Sequence, residues 1–283
     1  KEIADLVEQI NQIQQEDYDA LNTKQSSECL SFSKEYAKSI KQLSDYYGDA
    51  GKNINSMFLQ GKTAKQILDE LDGKAKIDFQ NFLQNTRQGQ YLASLSDAEI
   101  HSMTIYTGSS FTTINTMLRK KNISGMINGM DAQNLIDNMD VAIAKYGGLE
   151  RATEIYRAVK VTAFTSQNPN YAGLFKGISA NDLPRIYAVL KTLEGKDFGD
   201  LGYMSTSPGY STSFAKNPSY PIVLDIIADE GTAGAYINQI SNFYNKENEF
   251  LLARDTVLQM VEVLAPEKDI NGLEKIIVKC VIK

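Results

Sequence analysis

Through roughly the first third of the chain apolar residues recur at helical spacing: Ile3, Leu6, Val7, Ile10 and Ile13, then Tyr36, Ile40, Leu43 and Tyr47, then Ile67, Leu68 and Leu71. Side chains three or four apart share one face of a helix, so the pattern predicts several amphipathic helices. Gly48, Gly51, Gly61 and Gly73 punctuate them as turn or cap positions. After Tyr91 the texture changes. Ser94 and Ser96 stand before Asp97 and Glu99, an acidic first turn that complements a helix N-terminus. Further helices are predicted around Thr112 to Lys120 and Ala132 to Lys145. Strand-type runs follow at Ile155 to Ala163, Ile222 to Ile227, Glu249 to Leu252, Thr256 to Leu264 and Lys275 to Ile282. Helices first and strands later predict an α+β class rather than alternating βαβ units. The expected division is a helical N-terminal region over residues 1–90 and a mixed domain over residues 91–283.

Composition narrows the chemistry more than the architecture. Hydrophobic residues at 42% and charged residues at 23% suffice for a folded core without metal or disulfide support. A net charge of −6 gives no general attraction to nucleic acid or anionic lipid. No apolar run is long enough to cross a bilayer, so no membrane anchor is expected. Cys29 and Cys280 are too few for a disulfide framework or a thiolate zinc site. His101 is the single histidine, and no carboxylate cluster has metal-ligand spacing, so no metal is expected. His101 and Ser102 are consecutive on a predicted helix and point apart, which excludes a hydrolase pair. No G-x-G-x-x-G or Walker-type loop is present, so any nucleotide must be held in another way. The first residue is lysine rather than methionine, and the chain is expected to be a fragment or processed product.

Three local elements could carry chemistry. Glu247 and Glu249 lie one residue apart where a polar loop runs into an apolar strand; if extended backbone reaches back to Glu247, both point to one side. Two carboxylates in one site can take different pKa values and divide into charge stabiliser and base. Upstream, Ser205, Thr206 and Ser207 precede a Pro-Gly pair, and hydroxyls there could orient a carboxylate. Arg157 sits within the apolar run from Ile155 to Val159 and needs an anionic partner, either a structural carboxylate or a bound phosphate. Taken singly, each element also reads as an ordinary strand end, loop or ion pair.

In the order arginine on a strand, Ser-Thr-Ser, then Glu-x-Glu, the three together resemble the ADP-ribosyltransferase family of bacterial exotoxins. Tyr106 to Phe111, followed by Asn115 and Arg119, resembles that family's helical Tyr-Thr-Gly stretch, Leu95-Ser96 before Glu99 resembles the opening of its domain, and Gly234-Ala235-Tyr236 resembles the strand entering the glutamate loop. The resemblance covers about residues 92 to 283. It implies a fold of two packed, mainly antiparallel sheets flanked by N-terminal helices, here preceded by the helical region. It also implies NAD as co-substrate and an ionisation of the nicotinamide–ribose bond towards an oxocarbenium ion, which an acceptor attacks. By resemblance Glu249 stabilises that charge, Ser205 orients Glu249, Arg157 holds the NAD phosphates, and Thr206 and Ser207 support them. Glu247 matches the residue that takes a proton from an acceptor arginine, so arginine rather than an amide is the implied acceptor. Tyr244 stands where relatives carry an aromatic that contacts the target protein, and Phe214 where a ring packs on nicotinamide; for both, ordinary packing remains an alternative. The resemblance further implies a secreted toxin or effector acting inside a target cell on a protein such as actin. Residues 1–90 would serve delivery, docking or an immunity partner. Ala158, Gly202 and Asp225 stand where several actin-directed relatives carry arginine, asparagine and arginine, so the phosphate and nicotinamide contacts must differ in part. An NAD glycohydrolase, or an idle binding module of the same fold, is the alternative.

Overall fold

The computed structural model describes residues 52–210, 215–244 and 247–283. The helices expected around Ile3 to Ile13 and Tyr36 to Tyr47, with Cys29 and Phe214, lie outside the described residues. A helix α1 spans 52–59, followed by α2 (Ala64–Glu70), α3 (Gly73–Asn85), α4 (Arg87–Ser94) and α5 (Asp97–Ile105). Their ends are written locally. Thr63 and Gln66 form a capping box on α2, and Ser96 and Glu99 form another on α5, each satisfying two backbone N–H groups that the first turn leaves unpaired. Glu99 is buried and is matched by Lys145 at 2.8 Å.

Between α5 and α6 (Phe111–Lys120) the chain makes a wide π-type turn, Tyr106–Ser110, with Gly108 at a non-helical φ of −81° and ψ of −135°. The Tyr-Thr-Gly stretch read as helical is therefore a break in helical winding at Gly108. Helix α7 (Ala132–Tyr146) starts at Asp131, whose carboxylate accepts from two backbone N–H groups at 3.1 Å, and ends at Gly147 with φ +78°.

The strands form two principal sheets. The larger joins β3 (Thr153–Val159), β6 (Ile222–Ala228), β11 (Glu274–Ile282), β9 (Thr256–Val263) and β4 (Asp197–Asp200) in that order, with β10 (Glu267–Lys268) on β11. Only β6 and β11 run parallel; the other pairs are antiparallel. The smaller is antiparallel, β5 (Met204–Thr206), β8 (Phe250–Leu252) and β7 (Gly234–Tyr236), and a short hairpin pairs β1 (Met126–Ile127) with β2 (Met130–Asp131). Strand β6 is paired on both edges and buries one face completely: Ile222, Leu224 and Ile226 are 0–1% exposed, while Asp225 and Ile227 on the other face are half-buried. Each such side chain contributes about 1.5–3 kcal/mol by leaving water.

Phe58, Ile67, Phe79 and Leu92 from the first four helices share one buried core with Leu135 and Met139 of α7 and with Leu224 and Leu258 of the sheet. The run expected as strand to Ala163 stops earlier. At Lys160 the chain turns into α8 (Thr162–Thr165), where Phe164 packs on Phe198 with ring centres 4.8 Å apart. Helices α9 (Pro169–Leu174) and α10 (Leu183–Lys191) complete that crossover. Among the described residues no helix is long and apolar enough to cross a membrane, and no group of His, Cys, Asp and Glu could hold a metal ion.

Candidate active site

A backbone bridge ties the two sheets together. Beyond the end of β5, Ser207 exchanges backbone hydrogen bonds with Tyr156 of β3, 2.8 Å from Tyr156 N to Ser207 O and 3.0 Å in return. This bridge brings the Ser-Thr-Ser segment beside Arg157, whose Nη1 donates to the carbonyl oxygen of Ser205 at 2.7 Å. In the smaller sheet Ser205 is registered against Leu251 and Thr206 against Phe250, so the glutamates just before β8 emerge next to the serines. Arg157, Ser205, Thr206, Ser207, Glu247 and Glu249 consequently line one cleft, together with Tyr106, Asn115, Tyr156, Tyr220 and Phe243.

Glu247 and Glu249 are only 6% and 4% exposed, so they are not solvated charges at a strand end. Nor do they converge through strand geometry. Asn248 adopts φ +48°, in the left-handed region, so extended backbone starts at Phe250 rather than at Glu247. The convergence onto one cleft is achieved by this kink. Burial pushes the Glu249 carboxyl up to about 7, against the neighbouring Ser205 and Ser241 hydroxyls and the Arg157 charge, which favour its ionised form; Glu247 adds repulsion in the same direction as burial. The Ser241 hydroxyl lies 3.2 Å from Glu249 Oε2 and is fully buried.

Arg87, Arg119, Arg185 and Arg254 are tied to carboxylates elsewhere, whereas Arg157 has no ion pair among the described residues. A half-buried guanidinium of this kind is suited to an incoming anion. The Thr206 hydroxyl donates to the carbonyl oxygen of Phe250 at 2.6 Å, fastening β5 to β8 beneath the glutamates. The cleft floor is braced in turn. Asn115 donates to Tyr106 Oη and to the carbonyl oxygen of Tyr203, both at 3.2 Å, and accepts from Tyr203 N at 3.0 Å. Gly202 fits closely there: a Cβ would come within 2.6 Å of Asn115 Oδ1, so Asn115 would have to shift. Beyond the serines, the buried Lys275 donates to the carbonyl oxygens of Asn217 and Tyr220 at 2.9 and 2.6 Å, fixing the segment that presents Tyr220.

Of the residues singled out in the sequence, Arg157, Ser205, Thr206, Ser207, Glu247 and Glu249 come together. Phe214 lies outside the described residues. Tyr244 is half-buried at the root of the glutamate loop, its N–H donating to the carbonyl oxygen of Ser241 at 3.2 Å, and its neighbour Phe243 is the one that lines the cleft. Asp225 pairs across β3 and β6 with Tyr156, and its carboxyl is pushed up to about 8 by burial and by Glu154, which suits no phosphate. Ser241, Phe243, Tyr156 and Tyr220 were not anticipated; nothing in their local sequence separates them from loop or strand residues elsewhere.

Residues 80–283 match the model of the family described as ADP-ribosyltransferase exoenzyme. No curated protein sequence matches the chain. Among solved structures, Plx2a, an ADP-ribosyltransferase toxin from Paenibacillus larvae, is similar with a TM-score of 0.55 and 21% identity, over 73% of this chain and 96% of that one. The Clostridium limosum C3 exoenzyme gives 0.54 and 23%, over 73% and 94%. The ADP-ribosylating toxin BECa of a C. perfringens binary enterotoxin, solved with NADH, gives 0.55 and 19%, over 73% of this chain and 48% of that one. At such identities the likeness is one of fold.

Proposed function

Because the chain belongs to the ADP-ribosyltransferase exoenzyme family, we propose that it moves ADP-ribose from NAD to an arginine side chain of a target protein, releasing nicotinamide, as a secreted bacterial toxin or effector. The observation that carries this reading is the buried Glu247 and Glu249 pair, with Glu249 hydrogen-bonded by the Ser241 hydroxyl and lining the same cleft as Ser205 and Arg157.

The residues present fit NAD on two counts. Arg157 is a cation without an ion pair among the described residues, available to a pyrophosphate. Above about pH 7, once ionised, Glu249 supplies a negative charge held in place before any ligand arrives, which is the form of electrostatic stabilisation that costs no rearrangement during reaction. Bound NAD would supply an ADP-ribosyl group with nicotinamide as its leaving group.

The chain's own part is then divided. Glu249, ionised and oriented by Ser205 and Ser241, offsets positive charge as it develops on the ribose. Arg157 orients the phosphates, with Thr206 and Ser207 shaping the wall beside it. Glu247 takes the proton that a guanidinium must lose before it can act as a nucleophile; a carboxylate can do this, a glutamine cannot. Tyr244, on the same loop, contacts the target protein, which is actin or another protein presenting an arginine. Residues 91–283 are the catalytic domain; of residues 1–90, the part from α1 onward packs into the same core as that domain, and the region also serves delivery, docking or an immunity partner.

The test is to incubate the protein with biotin-labelled NAD and a cell lysate and to locate the labelled residue by mass spectrometry. Label on arginine is expected. Label on asparagine, or free ADP-ribose with no labelled protein, overturns the acceptor assignment.

A further inference from the structure

The loop from Ile237 to Glu249 is held at its root by side chains from far upstream in the chain. In α1, the Asn55 side-chain amide donates to the carbonyl oxygens of Gln239 at 2.8 Å and Ser241 at 3.2 Å, and Asn55 itself is 9% exposed. In α4, Gln88 Nε2 donates to the carbonyl oxygen of Tyr236 at 2.8 Å and to Gln239 Oε1 at 3.0 Å. On the opposite side Asn242 Nδ2 donates to the carbonyl oxygen of Thr104 at 3.0 Å and to Thr107 Oγ1 at 3.2 Å. Residues 236 to 242 are thus clamped between three helical segments. Within that clamp stands Ser241, whose hydroxyl meets Glu249 Oε2 at 3.2 Å.

We propose that Asn55 is a positioning residue of the active site: by holding the Ser241 backbone it aims the Ser241 hydroxyl at Glu249, so that α1 is a working part of the catalytic scaffold and not only a spacer. The physical reason is the sensitivity of such contacts to distance. At 3.2 Å the seryl hydrogen bond is near the end of its useful range, and a displacement of a few tenths of an ångström removes it. Helix α1 spends a buried amide on that one strip of backbone. Two carbonyl oxygens, from residues spaced two apart, converge on its single NH₂ group, which fixes the strip in position and in direction. The inference rests on the reading of Glu249 given above, and it adds that the competence of Glu249 depends on residues outside the cleft. A partner that gripped the N-terminal helices and shifted α1 would act on Glu249 through this contact.

The experiment uses the full chain, with Asn55→Ala, Asn55→Asp, which keeps the shape and loses the donors, Ser241→Ala, the double variant Asn55→Ala with Ser241→Ala, and Ser56→Ala, an exposed position of the same helix, as control. NAD hydrolysis is measured across pH, and unfolding midpoints are measured across pH without NAD. Glu247, Arg157 and Tyr106 are the charged or titratable groups that face Glu249, and none of them is altered. Both Asn55 variants are expected to lose about tenfold in kcat with KM for NAD unchanged. Their Glu249-linked titration, seen in the NAD-free protein, should move to higher pH because the Ser241 hydrogen bond favours the carboxylate. The double variant should be no worse than Ser241→Ala alone, as for two residues acting in series. Losses that multiply in the double variant, or full kcat and an unmoved titration in both folded Asn55 variants, overturn the proposal. A wild-type protein that leaves NAD intact defeats the catalytic reading instead, and the titration without NAD still decides the role of Asn55.

Discussion

Replacing Glu249 by glutamine removes a carboxyl that the fold buries with only partial compensation, and the cost of burying it can be read as stability. The ordinary glutamate value is 4.5 and the folded one about 7. Since the folded state holds the proton more tightly, the carboxyl costs nothing below about pH 4 and costs progressively more as pH rises from 4.5 to 7. Each pH unit in that window is worth about 1.4 kcal/mol, so the penalty levels off near about 3 kcal/mol above pH 7. The side chain is fully buried, so solvent screening takes little from this figure. A glutamine of the same shape can still accept from Ser205 and Ser241 and carries no such penalty. Urea unfolding of wild type and Glu249→Gln should therefore give similar free energies at pH 4.5 and a variant more stable by about 2–3 kcal/mol at pH 8, with NAD hydrolysis lost. A difference that stays constant with pH, or a variant that is less stable at pH 8 than at pH 4.5 relative to wild type, would refute the claim that this carboxylate is held in place at the expense of stability.

The neighbouring groups yield further expectations. Glu247→Ala should spare NAD hydrolysis and abolish transfer to protein, and because Glu247 raises the Glu249 value, the rise of hydrolysis with pH should shift to lower pH; equal loss of both activities counts against the division of roles. Arg157→Ala should raise KM for NAD by about tenfold or more, in line with the loss of a charge-assisted contact, and steady-state kinetics with an unchanged KM would remove it from the phosphate site. Gly202→Ala should destabilise by about 1–3 kcal/mol, since its Cβ would stand 2.6 Å from Asn115 Oδ1 and disturb the brace under Tyr106, and a neutral result in thermal unfolding would show that Asn115 can yield.

How far this site could be read from sequence depended on range. Arg157, Ser205 and Glu249 were legible because each sits in a local pattern whose order along the chain is informative, and helices such as α6 and α7 were legible through apolar spacing. The strands β4, β5 and β7 are three or four residues long, too short for any alternation to register, so periodicity does not find them, and β7 is legible only through the resemblance. Val161 and Thr162 look like strand residues, yet they form the turn and first residue of α8, whose Phe164 packs on Phe198, tertiary contact overriding propensity. Ser241, Phe243 and Asn55 acquire their places through contacts with residues distant in sequence, and the left-handed turn at Asn248 is set by the loop closing on the cleft. None of these has a signature within a window of a few residues.

The most direct measurement is nicotinamide release from NAD by the purified chain and by Glu249→Ala, followed as a function of pH. Steady release by the wild type that rises with pH through about 7, and a drop of at least about a hundredfold in kcat for the variant, are the results expected for a buried, seryl-held carboxylate facing the ribose. Release by Glu249→Ala at the wild-type rate would contradict the account.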